Sequence, residues 1–407
     1  MPLPRNVGPV QRKEYMKQLI NFRDTPIIKV ITGIRRCGKS TLFELYKEYL
    51  GQNGVPDDRI VSINFEDPDN EYLMDWRILY NHLKERLSPD QMTYIFLDEI
   101  QHVPDYQKAV DGLFVKKNSD LYITGSDAFM LSGELATLLS GRYVEIKMLP
   151  LSFAEYVSAM GGDNLSEKYN QYIMDSSFPY TLNISGQRKE VFDYLSGLYD
   201  TVVRKDITMR AGIRDGGVLD QTAKFMFDNV GNMLSPSNIS KTFETNGRNV
   251  SVNTVDRYVR LLTESFLFYS VGRYDVKGLE HLKTLGKYYA VDLGLRFMML
   301  GRENVDLGHI LENVVFLELY RRGYRVSIGK IGNSEIDFVA LSPSGMTEYY
   351  QVAYSTKDES TLERELTPLG KIKDHNAKHL LTMDDEPMTT YNGIKKINVL
   401  KWLLGQE

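Results

Sequence analysis

Residues Gly33, Ile34, Arg35, Arg36, Cys37, Gly38, Lys39 and Ser40 match the pattern GxxxxGK[ST] in full, with Thr41 following. Glycines at both ends let the backbone turn tightly and present a nest of N–H groups to an anion, and a helix N-terminus behind them adds its partial positive charge. Lys39 would place a point charge on the β- and γ-phosphates of a nucleoside triphosphate. The Ser40 hydroxyl would complete the oxygen shell of a Mg²⁺ ion. Cys37 lies inside this loop, close to Lys39 and to the helix start. Both would lower a thiol pKa, so Cys37 is expected either to be reactive or to be a small, inert filler.

A second group of residues bears on hydrolysis. Tyr94-Ile95-Phe96-Leu97-Asp98-Glu99 is a short apolar run that ends in two carboxylates. A buried strand would bring both to its carboxyl edge, where open α/β sheets bind their ligands. Asp98 suits a Mg²⁺ site through water, and Glu99 suits polarisation of an attacking water. The plainer alternative is a solvated turn with two acids. Leu121-Tyr122-Ile123-Thr124-Gly125-Ser126 is another strand-like run, and its place is between the nucleotide strand and the acid-bearing strand. Thr124 or Ser126 would then reach the γ-phosphate or the water. A helical stretch from Ala128 to Leu139 leads to Gly141 and Arg142. Arg142 is open to two readings: a finger into a neighbouring subunit's site, or a local salt bridge near a helix C-terminus.

The flanking segments supply the elements that would hold these residues. Ile27 to Ile31 is β-branched and apolar, and Thr41 to Lys47 contains good helix formers with no breaker. Residues 12 to 19 read as a short helix, 58 to 66 alternate as a strand, and 74 to 87 are helical in pattern. This strand–helix alternation continues to about residue 150 and implies a mostly parallel sheet covered on both faces. Beyond Pro150, residues 152 to 207 are helical, with breaks at Gly161-Gly162 and near Pro179. Arg204, Lys205 and Asp206 form a late charged cluster there, either a sensor of the γ-phosphate or a solvated helix face.

Residues 217 to 275 have a winged-helix pattern: a helix from Phe225 to Met233, a capped helix after Ser235, a long amphipathic helix from Val255 to Ser265, and a hairpin between Phe266 and Lys287. Lys241, Arg248, Arg257 and Arg260 could meet DNA phosphates, although Asp256 and Glu264 dilute the patch; a purely structural role is the alternative. From Asp306 on, a helix (Ile310 to Tyr320), three strands, a helix (Thr361 to Lys371) and strands near 378 to 383 and 396 to 401 are expected.

Composition narrows the class. The chain has 407 residues, 42% hydrophobic and 25% charged, as in ordinary globular proteins, and the net charge of −5 argues against a protein basic overall. No apolar run approaches membrane-spanning length, and the first residues have no secretory h-region. A single cysteine rules out an intrachain disulfide, and six histidines without cysteine company make a structural metal improbable. A cytoplasmic protein without membrane contact is expected.

GIRRCGKS, IFLDE, ITGS, SGR and the run Leu149-Pro150-Leu151-Ser152-Phe153-Ala154-Glu155-Tyr156 together resemble the AAA-type P-loop ATPases that carry a C-terminal domain of unknown function (DUF4143-like), a group similar to archaeal ATPases. Phe178-Pro179, Leu198 to Ile207 and Leu311 to Gln351 extend the resemblance over nearly the whole chain. It implies an α/β fold: a P-loop NTPase core (1–150), a helical lid (151–210), a winged-helix-like middle domain (211–295) and a restriction-endonuclease-like α/β C-terminal domain (306–407). It further implies ATP and Mg²⁺ as cofactors, and places the first helix, with Tyr15, near the adenine. In the C-terminal domain Glu312 and Asp337 match the nuclease carboxylates, but Gln351 and Ala353 stand where a second strand acid and a lysine are needed. Lys357 could move in for that lysine, although it lies beyond Tyr354-Ser355-Thr356, outside the expected strand.

The expected protein is therefore a Mg²⁺-dependent ATPase whose nucleotide state controls its winged-helix and C-terminal domains. DNA would bind through the winged helix and a protein partner through the C-terminal domain, with a homo-oligomer also open. The alternatives are an ATP-dependent nucleic-acid-processing enzyme with an active nuclease, or a slow nucleotide-gated protein-interaction switch.

Overall fold

A computed structural model describes residues 7–126, 139, 141–213, 216–301 and 305–406. The helix expected from Ala128 to Leu139 falls almost wholly outside the described residues. Two compact units emerge: Val7–Pro150 together with Glu264–Phe266, and a second made of Leu151–Thr263 and Leu267 onward. Among the described residues no helix is long and apolar enough to cross a membrane.

The first unit is built on five strands, β1 (Ile28–Thr32), β2 (Ile60–Asn64), β3 (Thr93–Asp98), β4 (Ser119–Gly125) and β5 (Tyr143–Lys147), in the order β2-β3-β4-β1-β5. All four pairings are parallel. The strand that ends at Gly125, just before Ser126, thus lies between the phosphate-loop strand and the acid-bearing strand, as its sequence led one to expect. Parallel strands need crossovers, which are supplied by α2 (Lys39–Gln52), α3 (Trp76–Lys84) and α4 (Tyr106–Phe114), while α1 (Lys13–Asn21) precedes β1. With a side-chain period of two, Ile95, Leu97, Leu121 and Ile123 enter one core with Leu79, Leu83, Val110 and Leu113 of α3 and α4. The opposite parity, Phe96 and Tyr122, stacks at 4.8 Å and packs against Phe43 and Tyr46 of α2. Asp98 and Thr124 share that parity, so the pleat alone turns them toward the start of α2.

The second unit begins with helices Phe153–Met160, Leu165–Asp175 and Arg188–Tyr199. The first opens with a capping box between Ser152 and Glu155 and stops at Gly161, whose φ of 63° suits glycine. A nine-stranded sheet follows, made of β6 (Met233–Leu234), β7 (Phe268–Asp275), β8 (Glu280–Ala290), β9 (Arg325–Ile331), β10 (Ser334–Leu341), β11 (Thr347–Ala353), β12 (Ala377–Thr382), β13 (Thr389–Tyr391) and β14 (Ile394–Asn398). Its order is β13-β14-β12-β11-β10-β9-β7-β8-β6, so the hairpin β7–β8 and the C-terminal strands share one sheet.

Two local expectations differ from what is found. The helix placed at 225 to 233 runs instead from Gly216 to Asp228, because Asn229 and Gly231 (φ 79°) form a turn before β6. The last strand ends at Asn398, whose side chain accepts the Lys401 N–H and starts the helix Val399–Leu403.

Candidate nucleotide site

The carboxyl ends of β1, β3 and β4 meet where the phosphate loop begins. Gly33 has no room for a side chain: a Cβ there would lie 2.1 Å from the Met148 carbonyl oxygen. Arg36 (φ 66°) and Gly38 (φ 108°) take left-handed conformations that fold the loop before α2 begins at Lys39. Ser40 and Thr41 are exposed at the helix start and line an open cleft of about 850 Å³ that also touches Pro9, Leu45 and Glu48. Ile34 is buried in the core, Arg36 is exposed, and Arg35 pairs with Glu66 in the loop after β2.

Lys39 is 4% exposed, and its ammonium lies 3.0 Å from the Gly33 carbonyl and 3.2 Å from Oε1 of Glu99. Burial would lower the Lys39 pKa, but Glu99, Cys37 and Asp98 together hold it above its ordinary value. Glu99 shows the mirror effect: burial works against its charge, yet Lys39 depresses its pKa. Glu99 reaches Lys39 because its backbone is left-handed (φ 53°), which breaks the strand parity just after Asp98. The Glu99 N–H donates to Thr124 Oγ1 at 2.8 Å, and its Oε2 accepts Gln101 Nε2 at 2.5 Å. Gln101 Nε2 also reaches Ser126 Oγ at 3.3 Å.

Asp98 accepts hydrogen bonds from the hydroxyls of Ser40 and Thr124; burial nevertheless pushes its pKa up. A serine hydroxyl and a carboxylate side by side form the hard oxygen donor set that Mg²⁺ prefers, so Ser40 and Asp98 fit the cation that accompanies a triphosphate. A positive charge there would offset the burial penalty on Asp98.

Other sequence candidates sit differently. Cys37 is fully buried, and burial pushes its thiol pKa up against the opposing charges of Lys39 and Arg12. Of the two readings of Cys37, burial favours the small, inert filler: desolvation outweighs the nearby cations, and the sulfur is shielded. Tyr15, expected beside the base, is 2% exposed, and its hydroxyl accepts the Leu149 N–H at 3.0 Å. The inward face of α1 carries it into the unit's interior. Arg142 forms an ion pair with Asp111 of α4 and lies 5.5 Å from the centre of the Phe114 ring.

In the second unit Arg204 pairs with Asp200 at 3.1 Å and with Asp220 at 3.6 Å. Arg257 donates to the Ala211 carbonyl and Arg248 to Gln221, while Lys241, Arg257 and Arg260 remain on exposed positions. Glu312 and Asp337 are both buried, but the cation beside them is Lys287 of β8. Its ammonium is 2.8 Å from Glu312 and 2.8 Å from Glu335, and Tyr289 donates to the same Glu312 oxygen. Gln351 donates to Glu365 at 2.9 Å, Ala353 ends β11, and Lys357 is exposed beyond it. No group of three or more His, Cys, Asp or Glu side chains arranged to hold a metal occurs among the described residues. Arg12 and Lys287 were not singled out from the sequence, because their partners lie far away in it; Gln101 lies only two residues from Glu99, but no motif marks it.

A parallel sheet in which an interior strand, β1, feeds a glycine-bounded loop, with a buried lysine and a strand-end Asp-Glu pair, defines the class of P-loop NTPases. Comparison with known proteins agrees. A family model described as an AAA domain matches residues 25–157, and a second, a domain of unknown function (DUF8612), matches residues 166–306. The unknown-function domain thus differs from the DUF4143-like one suggested by the resemblance. The chain is 41% identical over 400 residues to an uncharacterized protein of Haemophilus influenzae, covering 97% of this chain and 98% of that one. It is 30% identical over 407 residues to an uncharacterized protein of Methanocaldococcus jannaschii, covering 91% and 84% respectively. A solved Walker-type ATPase of Pyrococcus abyssi shares its fold, with a TM-score of 0.51 at 14% identity over 74% of this chain and 98% of that chain. The chain belongs to the AAA-type P-loop ATPase family.

Proposed function

We propose that this protein binds ATP with Mg²⁺ in the loop Gly33–Thr41 and hydrolyses it, and that nucleotide state controls the second unit. The observation that carries this reading is the ion pair between Lys39 and Glu99 at 3.2 Å, both buried at the mouth of the phosphate loop. A lysine and a carboxylate so placed hold each other ready. The triphosphate takes the ammonium, and the carboxylate so released becomes a base for water. Mg²⁺ held by Ser40 and Asp98 would neutralise triphosphate charge. Gln101 and Ser126 keep the Glu99 carboxylate aimed while the backbone of the loop, Arg35 and Arg36 included, surrounds the phosphates. The open cleft beside Thr41 has room for a nucleoside, so the base is assigned there rather than against the buried Tyr15. The cytosol, where ATP is abundant, is the setting this chemistry suits.

The pair with Asp111 favours a structural role for Arg142 over a finger delivered to a neighbouring subunit. DNA contact is assigned to Lys241, Arg257 and Arg260, which lie exposed on the helices Pro236–Thr245 and Val252–Glu264. An active nuclease is disfavoured, because Lys287 already neutralises Glu312 and no lysine stands at position 353. The test is titration of ATP, GTP and ADP against wild type and Lys39→Ala, with turnover measured with and without DNA and RNA. ATP binding lost in Lys39→Ala supports the site. Equal binding by both proteins overturns it. Turnover indifferent to nucleic acid removes the DNA assignment.

A further inference from the structure

Arg12 stands immediately before α1 and is 2% exposed, an unusual burial for a guanidinium. Its Nη1 donates to the Cys37 carbonyl at 3.0 Å, while Nη2 donates to the carbonyls of Leu149 at 2.6 Å and Pro150 at 3.3 Å. The guanidinium also lies over the Tyr15 ring, 4.9 Å from its centre. One cation thus joins the middle of the phosphate loop to the last two residues of the nucleotide unit; Leu151 already belongs to the second unit.

The same segment is gripped at two further points. The Leu149 N–H donates to the Tyr15 hydroxyl at 3.0 Å, and the missing side chain of Gly33 lets the Met148 carbonyl approach the loop's first residue. Residues 148 to 150 are therefore tied to the phosphate loop at its beginning through Gly33 and at its centre through Cys37.

We propose that Arg12 is a positioning residue for the triphosphate site, setting the Cys37–Gly38 peptide and carrying nucleotide occupancy to Leu149–Pro150. The physical reason is peptide planarity. In a trans peptide the C=O and the following N–H point in opposite directions, so holding the Cys37 carbonyl on Arg12 aims the Gly38 N–H away from it, toward the anion side of the loop. A phosphate that draws on that N–H polarises or rotates the peptide, and the carbonyl's grip on Arg12 changes with it. Leu149 and Pro150 share the same guanidinium and respond. A planar fork with several N–H donors can span three carbonyls from one position, which a lysine ammonium on a flexible stem cannot do with the same rigidity. This inference rests on the nucleotide reading of the loop.

The experiment uses the full chain as wild type, Arg12→Lys, Arg12→Ala and Lys39→Ala. ATP affinity is measured by equilibrium titration, kcat and KM by phosphate release, and amide hydrogen exchange over residues 148–151 with and without Mg²⁺-ATP. Wild type should slow exchange at the Leu149 amide when ATP binds. Arg12→Lys, which keeps the charge and is expected to fold, should bind ATP about tenfold more weakly and lose the nucleotide-dependent change at Leu149. A purely structural arginine would lower the melting temperature without abolishing that response. The proposal is overturned if Arg12→Lys keeps the wild-type response at Leu149, or if wild type binds ATP with no change there. If wild type and Lys39→Ala both fail to bind ATP, the nucleotide reading itself is what has failed. Arg12→Ala should be weaker still, and its recovery toward the Arg12→Lys affinity on adding guanidinium ion would assign the loss to the missing group.

Discussion

Replacing Glu99 with Gln should tighten ATP binding while stopping turnover, and the geometry sets the size of both effects. In the structure the Glu99 carboxylate is 3.2 Å from the Lys39 ammonium, so it competes with the triphosphate for that cation. At an effective dielectric of about 20, opposite unit charges at this separation attract by roughly 5 kcal/mol, and in bulk water by about 1 kcal/mol. Glutamine keeps the shape and an oxygen dipole but loses the charge, and Lys39 keeps its bond to the Gly33 carbonyl at 3.0 Å. Part of the attraction therefore persists as an ion–dipole contact. A net gain of about 1.4–2.8 kcal/mol remains, or roughly 10- to 100-fold in ATP affinity. Loss of the base should lower kcat by about 10²- to 10⁴-fold. Equilibrium titration with a fluorescent ATP analogue measures the first effect, and single-turnover phosphate release measures the second. Weaker binding by Glu99→Gln, or turnover at the wild-type rate, would refute the competition described here.

Other consequences are as direct. Cys37 should resist alkylation by iodoacetamide in the folded protein and react on unfolding in guanidinium, since it is buried and its thiol pKa is raised; rapid native-state labelling would contradict this. Lys287→Met should destabilise the second unit by about 3–5 kcal/mol, because the buried Glu312 loses its counter-charge. The added change Glu312→Gln should recover much of that loss in thermal unfolding, and an unchanged melting temperature in Lys287→Met would show the pair to be unimportant. Arg142→Ala should change kcat by less than about tenfold, since its partner is Asp111 in the same chain; a fall of about 10³-fold would instead fit a finger shared between subunits.

The phosphate loop and the strands around it were legible because their determinants are local. The glycine spacing, the β-branched run before it and the helix formers after it sit within a few residues of one another. Strand parity alone then carries Asp98 and Thr124 to the same side as Ser40. What burial decides was not legible. The sequence left Cys37 open between a reactive thiol and an inert filler, because the desolvation that decides between them depends on packing around the loop. Arg12 bonds to Leu149 across 137 residues, and Lys287 to Glu312 from a different strand and helix, so no window of sequence contains either contact. Gln351 and Ala353 were visible in the sequence, whereas the lysine that pairs with Glu312 was not. Short turn chemistry also misled: Asn229 and Gly231 end a helix earlier than its apolar pattern suggests, and Asn398 converts the end of a strand into a helix start.

The central claim, ATP hydrolysis at the Lys39–Glu99 site, is tested most directly by Mg²⁺-dependent phosphate release from ATP by wild type, Lys39→Ala and Glu99→Gln under identical conditions. The account predicts release by wild type alone, with Lys39→Ala failing to bind ATP and Glu99→Gln binding it without turnover. Phosphate release by Lys39→Ala at the wild-type rate, or none by wild type despite saturating ATP and Mg²⁺, would contradict it.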